Sequence, residues 1–143
     1  MDQRSSSLYE QVGGFDVILA LTRRWHELCL LDPAASHPFE HELHPQHDER
    51  LAAYLAQAVG GPKLYTAGYG SESSMQKLHA CNGEHLELDE ACIKQFNIAV
   101  TEVGISGEAA QLICAYFRRA TEDQRTYSTS DSSVPDDLPF NYA

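Results

Sequence analysis

The chain has 143 residues, a length that suits one domain with a core of its own. Its formal charge of −11 argues against nucleic acid as a partner, because phosphate binding needs a basic surface, and against an anionic membrane surface. Hydrophobic residues make up 43% of the sequence, which suits a globular protein, yet no segment is long and apolar enough to span a bilayer.

Residues 1–6 read as a flexible segment without the apolar stretch of a secretory signal, so a cytoplasmic setting is expected. Ser7-Leu8-Tyr9-Glu10 has the spacing of a capping box, and Gly13-Gly14 stops the short helix it opens. A second helix is predicted over 15–31, with Phe15, Ile18, Leu19, Thr22, Trp25, His26 and Cys29 on one stripe. Asp32-Pro33 ends it, and residues 34–46 read as an irregular, histidine-rich connection. A third helix is predicted over 47–59, with Leu51, Tyr54, Leu55 and Ala58 facing in and Gly60-Gly61-Pro62 as its stop.

Residues 63–74 read as a glycine- and serine-rich loop, followed by a short helix that carries Met75, Leu78 and His79. Asn82-Gly83 is a turn signal. A long helix over 89–103 presents Cys92, Ile93, Phe96, Val100 and Val103, and a last one over 108–120 presents Leu112, Ile113, Tyr116 and Phe117. The polar composition of 121–143 predicts a mobile tail, although Pro135, Leu138, Phe140 and Tyr142 keep docking on the domain open. No segment alternates in the manner of a strand, so the fold class is all-α.

The four cysteines, Cys29, Cys81, Cys92 and Cys114, show no metal-finger or redox spacing, and reduced thiols are expected. Gly60-Gly61-Pro62 lacks the lysine and serine of a phosphate-cradling loop.

The order of these signals is more specific than any one of them. Gly13-Gly14, Trp25-His26, Asp32-Pro33, Phe39, Gly60-Gly61-Pro62 with Tyr65, and Met75 with Leu78-His79 follow in register. In that order the chain resembles a truncated hemoglobin, nearest to group II, over about residues 7–120. The resemblance implies a two-over-two helical sandwich enclosing heme b.

By the same resemblance His79 matches the proximal iron ligand, since neutral imidazole is a good axial ligand for heme iron. Phe39 matches the aromatic on the heme face, Leu51 a pocket wall and Trp25 an aromatic packing position. His47 falls on the distal helix, and His26 stands where a tyrosine usually offers its hydroxyl to bound ligand. Cys92 replaces a tryptophan usual in group II, and a thiol is the weaker donor. Leu78 replaces a basic residue, which leaves propionate pairing to Lys63, Lys77 or the Tyr65 hydroxyl. Met75, Tyr54 and Phe96 complete the expected lining of the pocket. After His79 the sequence Ala80-Cys81-Asn82-Gly83 replaces the usual Pro-Phe.

Several residues keep more than one reading. His47 is a hydrogen-bond donor to bound ligand, a second axial ligand giving bis-histidine iron, or a solvent-facing helix start. His26 faces the sixth position or is a satisfied core histidine. Cys92 is expected to line the pocket as a neutral thiol, because apolar burial keeps the proton. His37, His41 and His44 share an acidic stretch with Glu40, Glu42 and Asp48 that could be read as a zinc or copper site, but the spacing matches no standard motif.

The resemblance implies oxygen binding or transport, with oxygen, nitric oxide or carbon monoxide as ligand. Two alternatives stay open. One is a heme enzyme of the peroxidase or nitric oxide dioxygenase type, acting on peroxide or a gas with a separate reductase. The other is a bis-histidine electron-transfer or redox-sensing protein, in which Cys29 and Cys92 contribute thiol chemistry. A monomer or homodimer is expected in either case.

Overall fold

In a computed structural model, residues 7–40, 45–80, 85–128 and 134–143 are described. Their α-helices are α1 (Leu8–Val12), α2 (Phe15–Leu31), α3 (His47–Ala58), α4 (Leu64–Gly68), α5 (Glu72–His79), α6 (Leu86–Glu102) and α7 (Gly107–Asp123). Short 3-10 turns cover His37–Phe39 and Gln124–Tyr127. No strand occurs among the described residues, as the periodicity requires. The expectations for residues 1–6, for His41, Glu42, His44 and Cys81, and for the Asn82-Gly83 turn lie outside them.

Two helix pairs make the core. α2 packs on α3, α6 packs on α7, and the α2–α6 interface joins the pairs. Ile18, Leu21, Trp25 and Cys29 of α2 share one buried cluster with Phe96 and Val100 of α6 and Ile113 and Tyr116 of α7. Full burial of a side chain such as Phe96 contributes about 1.5–3 kcal/mol. This is the two-over-two helical sandwich that the resemblance implies.

Glycines fix how the short α1 sits on it. Gly13 closes α1 at φ 110°, and a Cβ there would lie 2.7 Å from the Val17 side chain. A Cβ on Gly61 would lie 2.4 Å from the Tyr9 ring and 2.7 Å from the Ala56 carbonyl, so only glycine lets α1 dock on the end of α3. The Tyr9 N–H donates to the Val59 carbonyl at 2.9 Å, and the Tyr9 hydroxyl accepts from the Phe15 N–H at 3.1 Å.

The structure departs from the sequence reading in five places. Residues 121–127, read as the start of a mobile tail, continue α7 to Asp123 and form the Gln124–Tyr127 turn. Residues 63–74 are not one loop, since they contain α4 and the first turn of α5. Ser71 and Ser74, read as loop formers, are instead the N-cap and N3 residues of a capping box that starts α5 at Glu72. α3 is buried at every position from Ala52 to Ala58, because its alanines let neighbours approach on all sides. Leu112 is 45% exposed, because α7 turns Ala109, Ile113 and Tyr116 inward instead.

The end of the chain follows the docked alternative over 134–143. Phe140 packs on Tyr54 with ring centroids 4.7 Å apart, Tyr116 donates to the Asn141 carbonyl at 2.6 Å, and the Ala143 N–H donates to the Ala58 carbonyl at 2.9 Å.

Candidate functional site

α5 is turned opposite to an ordinary amphipathic helix. Its polar residues Glu72, Ser73 and Gln76 are buried, while Leu78 is 71% exposed and His79 is exposed. Partners make that orientation possible, because a buried carboxylate is tolerated only when hydrogen-bonded. Glu72 Oε1 accepts from the Tyr54 hydroxyl at 2.6 Å and the Asn141 N–H at 3.0 Å, and Oε2 accepts from the Gln76 amide at 3.1 Å. Ser73 Oγ accepts from the Leu138 N–H at 3.0 Å. His79 Nδ1 donates to the Met75 carbonyl at 2.8 Å, which selects the tautomer with the lone pair on Nε2.

A second cluster forms where α2 meets the start of α3. Asp48 Oδ1 accepts from His26 Nδ1 at 2.9 Å and from His47 Nδ1 at 3.3 Å. The buried Thr22 hydroxyl is shared between the Leu19 and Asp48 carbonyls, at 3.0 Å each, and so ties the two helices together at this point. Phe39 lies against both imidazoles, with centroids 4.9 Å from His26 and 5.9 Å from His47, and edge-on to Trp25 at 5.1 Å. Burial holds the His47 pKa below its ordinary value; the bond and charge of Asp48 oppose this, while His26 and His79 add to the lowering.

Behind Trp25, the indole N–H donates to the Cys92 carbonyl at 2.9 Å. The Cys29 and Cys92 thiols act on one another: the interaction pushes Cys29 up and lowers Cys92 from its ordinary value. Burial works in the opposite direction on Cys92 and is outweighed by its neighbour Cys29.

The remaining expected residues divide. Leu51 and Met75 are partly buried against the core, and Phe96 is fully buried against Phe117 at 3.9 Å between centroids. Tyr54 and Tyr65 meet edge-on at 5.2 Å in a cluster with Phe140, and the Tyr54 hydroxyl is taken by Glu72. Lys77 pairs with Asp136 at 2.5 Å, while Lys63 is exposed. The acidic, histidine-rich stretch does not gather around Asp48 among the described residues. His37 is exposed, Glu40 accepts from the Ser36 hydroxyl at 2.8 Å, and Asp48 belongs to His26 and His47.

Sequence reasoning missed Asp48 as the hub of the histidine pair and Glu72 as the hub under α5. Asp48 had one readable signal, its place beside His47 in a first turn that favours acids. Glu72 and Gln76 had none, because their burial depends on partners far away in the sequence.

The arrangement fits a heme on the α5 side: an imidazole with its lone pair on Nε2, an exposed leucine beside it, and an aromatic ring among the histidines of α2 and α3. The family model for bacterial-like globins matches residues 7–125. No curated protein matches the chain. The group II 2-on-2 hemoglobin from Agrobacterium tumefaciens is 25% identical, with TM-score 0.72 over 87% of this chain and 98% of that one. A thermostable hemoglobin from Thermobifida fusca is 25% identical, with TM-score 0.69 over 92% of this chain and 100% of that one. The group II truncated hemoglobin from Bacillus anthracis is 17% identical, with TM-score 0.74 over 92% and 98% of the two chains.

Proposed function

The chain belongs to the bacterial-like globin family, and from that premise we propose that it binds heme b through His79 Nε2 and takes a diatomic gas as ligand. The observation that carries this reading is the inverted α5. A helix that buries Glu72 and Gln76 and leaves Leu78 and His79 outside has its apolar face committed to something other than the protein core. The Met75 carbonyl supports the same role, since a ligating histidine usually donates its other ring N–H to an acceptor. Heme iron, when bound, supplies a coordination position open to oxygen, nitric oxide or carbon monoxide.

The chain's own residues then shape what that position meets. Phe39 and Trp25 supply apolar, edge-on aromatic surface that excludes water. His47, with Nδ1 donating to Asp48, carries its lone pair on Nε2. In that neutral form Nε2 accepts or ligates, and it donates only once protonated. The lowered His47 pKa favours the neutral form, which supports bis-histidine coordination as the second reading.

The visible spectrum of the heme-loaded protein, ferric and then dithionite-reduced, tests both. A broad ferrous band is the result for an open sixth position; sharp split bands are the result for an internal ligand, and His47→Ala should then convert the spectrum to the broad form. His79→Ala should abolish stable heme incorporation. Tight heme retention by that variant with an unaltered spectrum would defeat the assignment.

A further inference from the structure

Asp48 presents one oxygen, Oδ1, to two imidazole nitrogens from two helices, at 2.9 Å and 3.3 Å. One ligand atom from each of His26, His47 and Asp48 lies within 4.8 Å of the other two. Ligand atoms on a tetrahedral ion with bonds of about 2.0–2.1 Å are about 3.3–3.4 Å apart, so modest side-chain rotation brings this set to coordinating geometry. Two imidazoles and a carboxylate form a borderline donor set that suits divalent zinc, cobalt or iron and disfavours magnesium and calcium.

We propose that His26 Nδ1, His47 Nδ1 and Asp48 Oδ1 form a binding site for one divalent transition-metal ion of the zinc type, distinct from the heme iron. The backbone beneath the site is already fixed. Thr22 ties the Asp48 carbonyl to α2, and Arg23 pairs with Glu49 at 3.3 Å, so α2 and α3 hold the ligands without needing the ion to assemble them. Phe39 closes one side against water, and three protein ligands leave a fourth position for water or a small anion.

Binding requires no redox step and no external acid. In each neutral imidazole the proton moves from Nδ1 to Nε2, and the ion takes the Nδ1 lone pair; Asp48 exchanges two N–H donors for one cation. The site uses the Nδ1 atoms, whereas the heme reading calls on the Nε2 atom of His47. The ion also leaves the net charge of this strongly acidic chain less negative by two, a direction that favours binding.

The test is zinc titration of the full-length chain, with and without heme, by calorimetry. The expected result is one zinc ion per chain, with affinity reduced more than about 100-fold by Asp48→Asn, beyond the cost of losing only an outer partner. His47→Gln should give the same loss, which keeps the test decisive if the first variant does not fold. His37→Ala, at an exposed histidine outside the cluster, should bind as the parent does. Zinc-edge X-ray absorption of the bound ion should show nitrogen and oxygen neighbours at about 2.0 Å. Failure of the parent chain to bind zinc, equal binding by Asp48→Asn, or sulfur neighbours at about 2.3 Å from the cysteines would overturn the proposal. Each result is independent of whether His79 holds heme.

Discussion

His47 lies at the meeting point of burial and charge, and its behaviour with pH follows from which of them wins. Burial is the largest influence and lowers its pKa; Asp48 recovers only part. An unfolded chain holds this histidine near its ordinary pKa of about 6.5. As pH falls below that value, the unfolded state takes up the proton first, so stability is lost on acidification and fully present above it. His47→Gln should therefore flatten the decline in urea-unfolding stability between about pH 6.5 and 5. An unchanged slope would show that His47 titrates alike in both states. At this scale His79 is singled out as the candidate ligand by sequence alone, because its place after Gly60-Gly61-Pro62 and Tyr65 marks it without knowledge of its neighbours. Asp48 was not legible, because its importance comes from sharing one oxygen between residues 22 and 1 positions away, on different helices.

At the scale of elements, helix periodicity reported the long elements well and the short ones poorly. α2 matched its predicted limits, and the core positions of α6 followed the apolar stripe. The exceptions share a cause: α4 and the start of α5 are held by local caps and tertiary partners, so serine and glycine content misleads. Gly61 is where an element's placement rests on a single residue. Gly61→Ala drives a methyl group into Tyr9 and the Ala56 carbonyl, and one of α1 or the α3 end must move. The expected cost is about 1–3 kcal/mol in chemical denaturation, with the larger share borne by α1. Hydrogen exchange should show the Tyr9 amide, bonded to Val59 in the parent, losing protection before the α6 amides do. Equal loss in both would mean that α1 is part of the same cooperative unit as the core.

For the whole molecule, the last ten residues connect elements that the helical sandwich alone leaves apart. Asn141 bonds Glu72 of α5 through its N–H and receives Tyr116 of α7 on its carbonyl; Leu138 bonds Ser73; Phe140 fills the space beside Tyr54 of α3. Composition hid this, because the serine- and threonine-rich stretch 121–133 dominates the tail, whereas 134–143 has no serine and docks through Phe140 and its backbone groups. Deleting 134–143 removes a packed aromatic and several buried hydrogen bonds, at about 1 kcal/mol for each bond and more for the ring. It also leaves the buried Glu72 carboxylate with one donor fewer, which raises the cost of keeping α5 in its inverted orientation. A loss of about 3 kcal/mol or more is expected in urea unfolding of the heme-free chain. Because α5 carries His79, the proposed iron ligand, heme should also dissociate faster from the shortened chain, measured by transfer to an acceptor apoprotein. Adding Tyr54→Phe to the shortened chain should cost less than adding it to the full one, since both changes strip the same carboxylate. Strict additivity would mean that the tail and the Tyr54–Glu72 pair act separately, and that the end of the chain does not hold α5 in place.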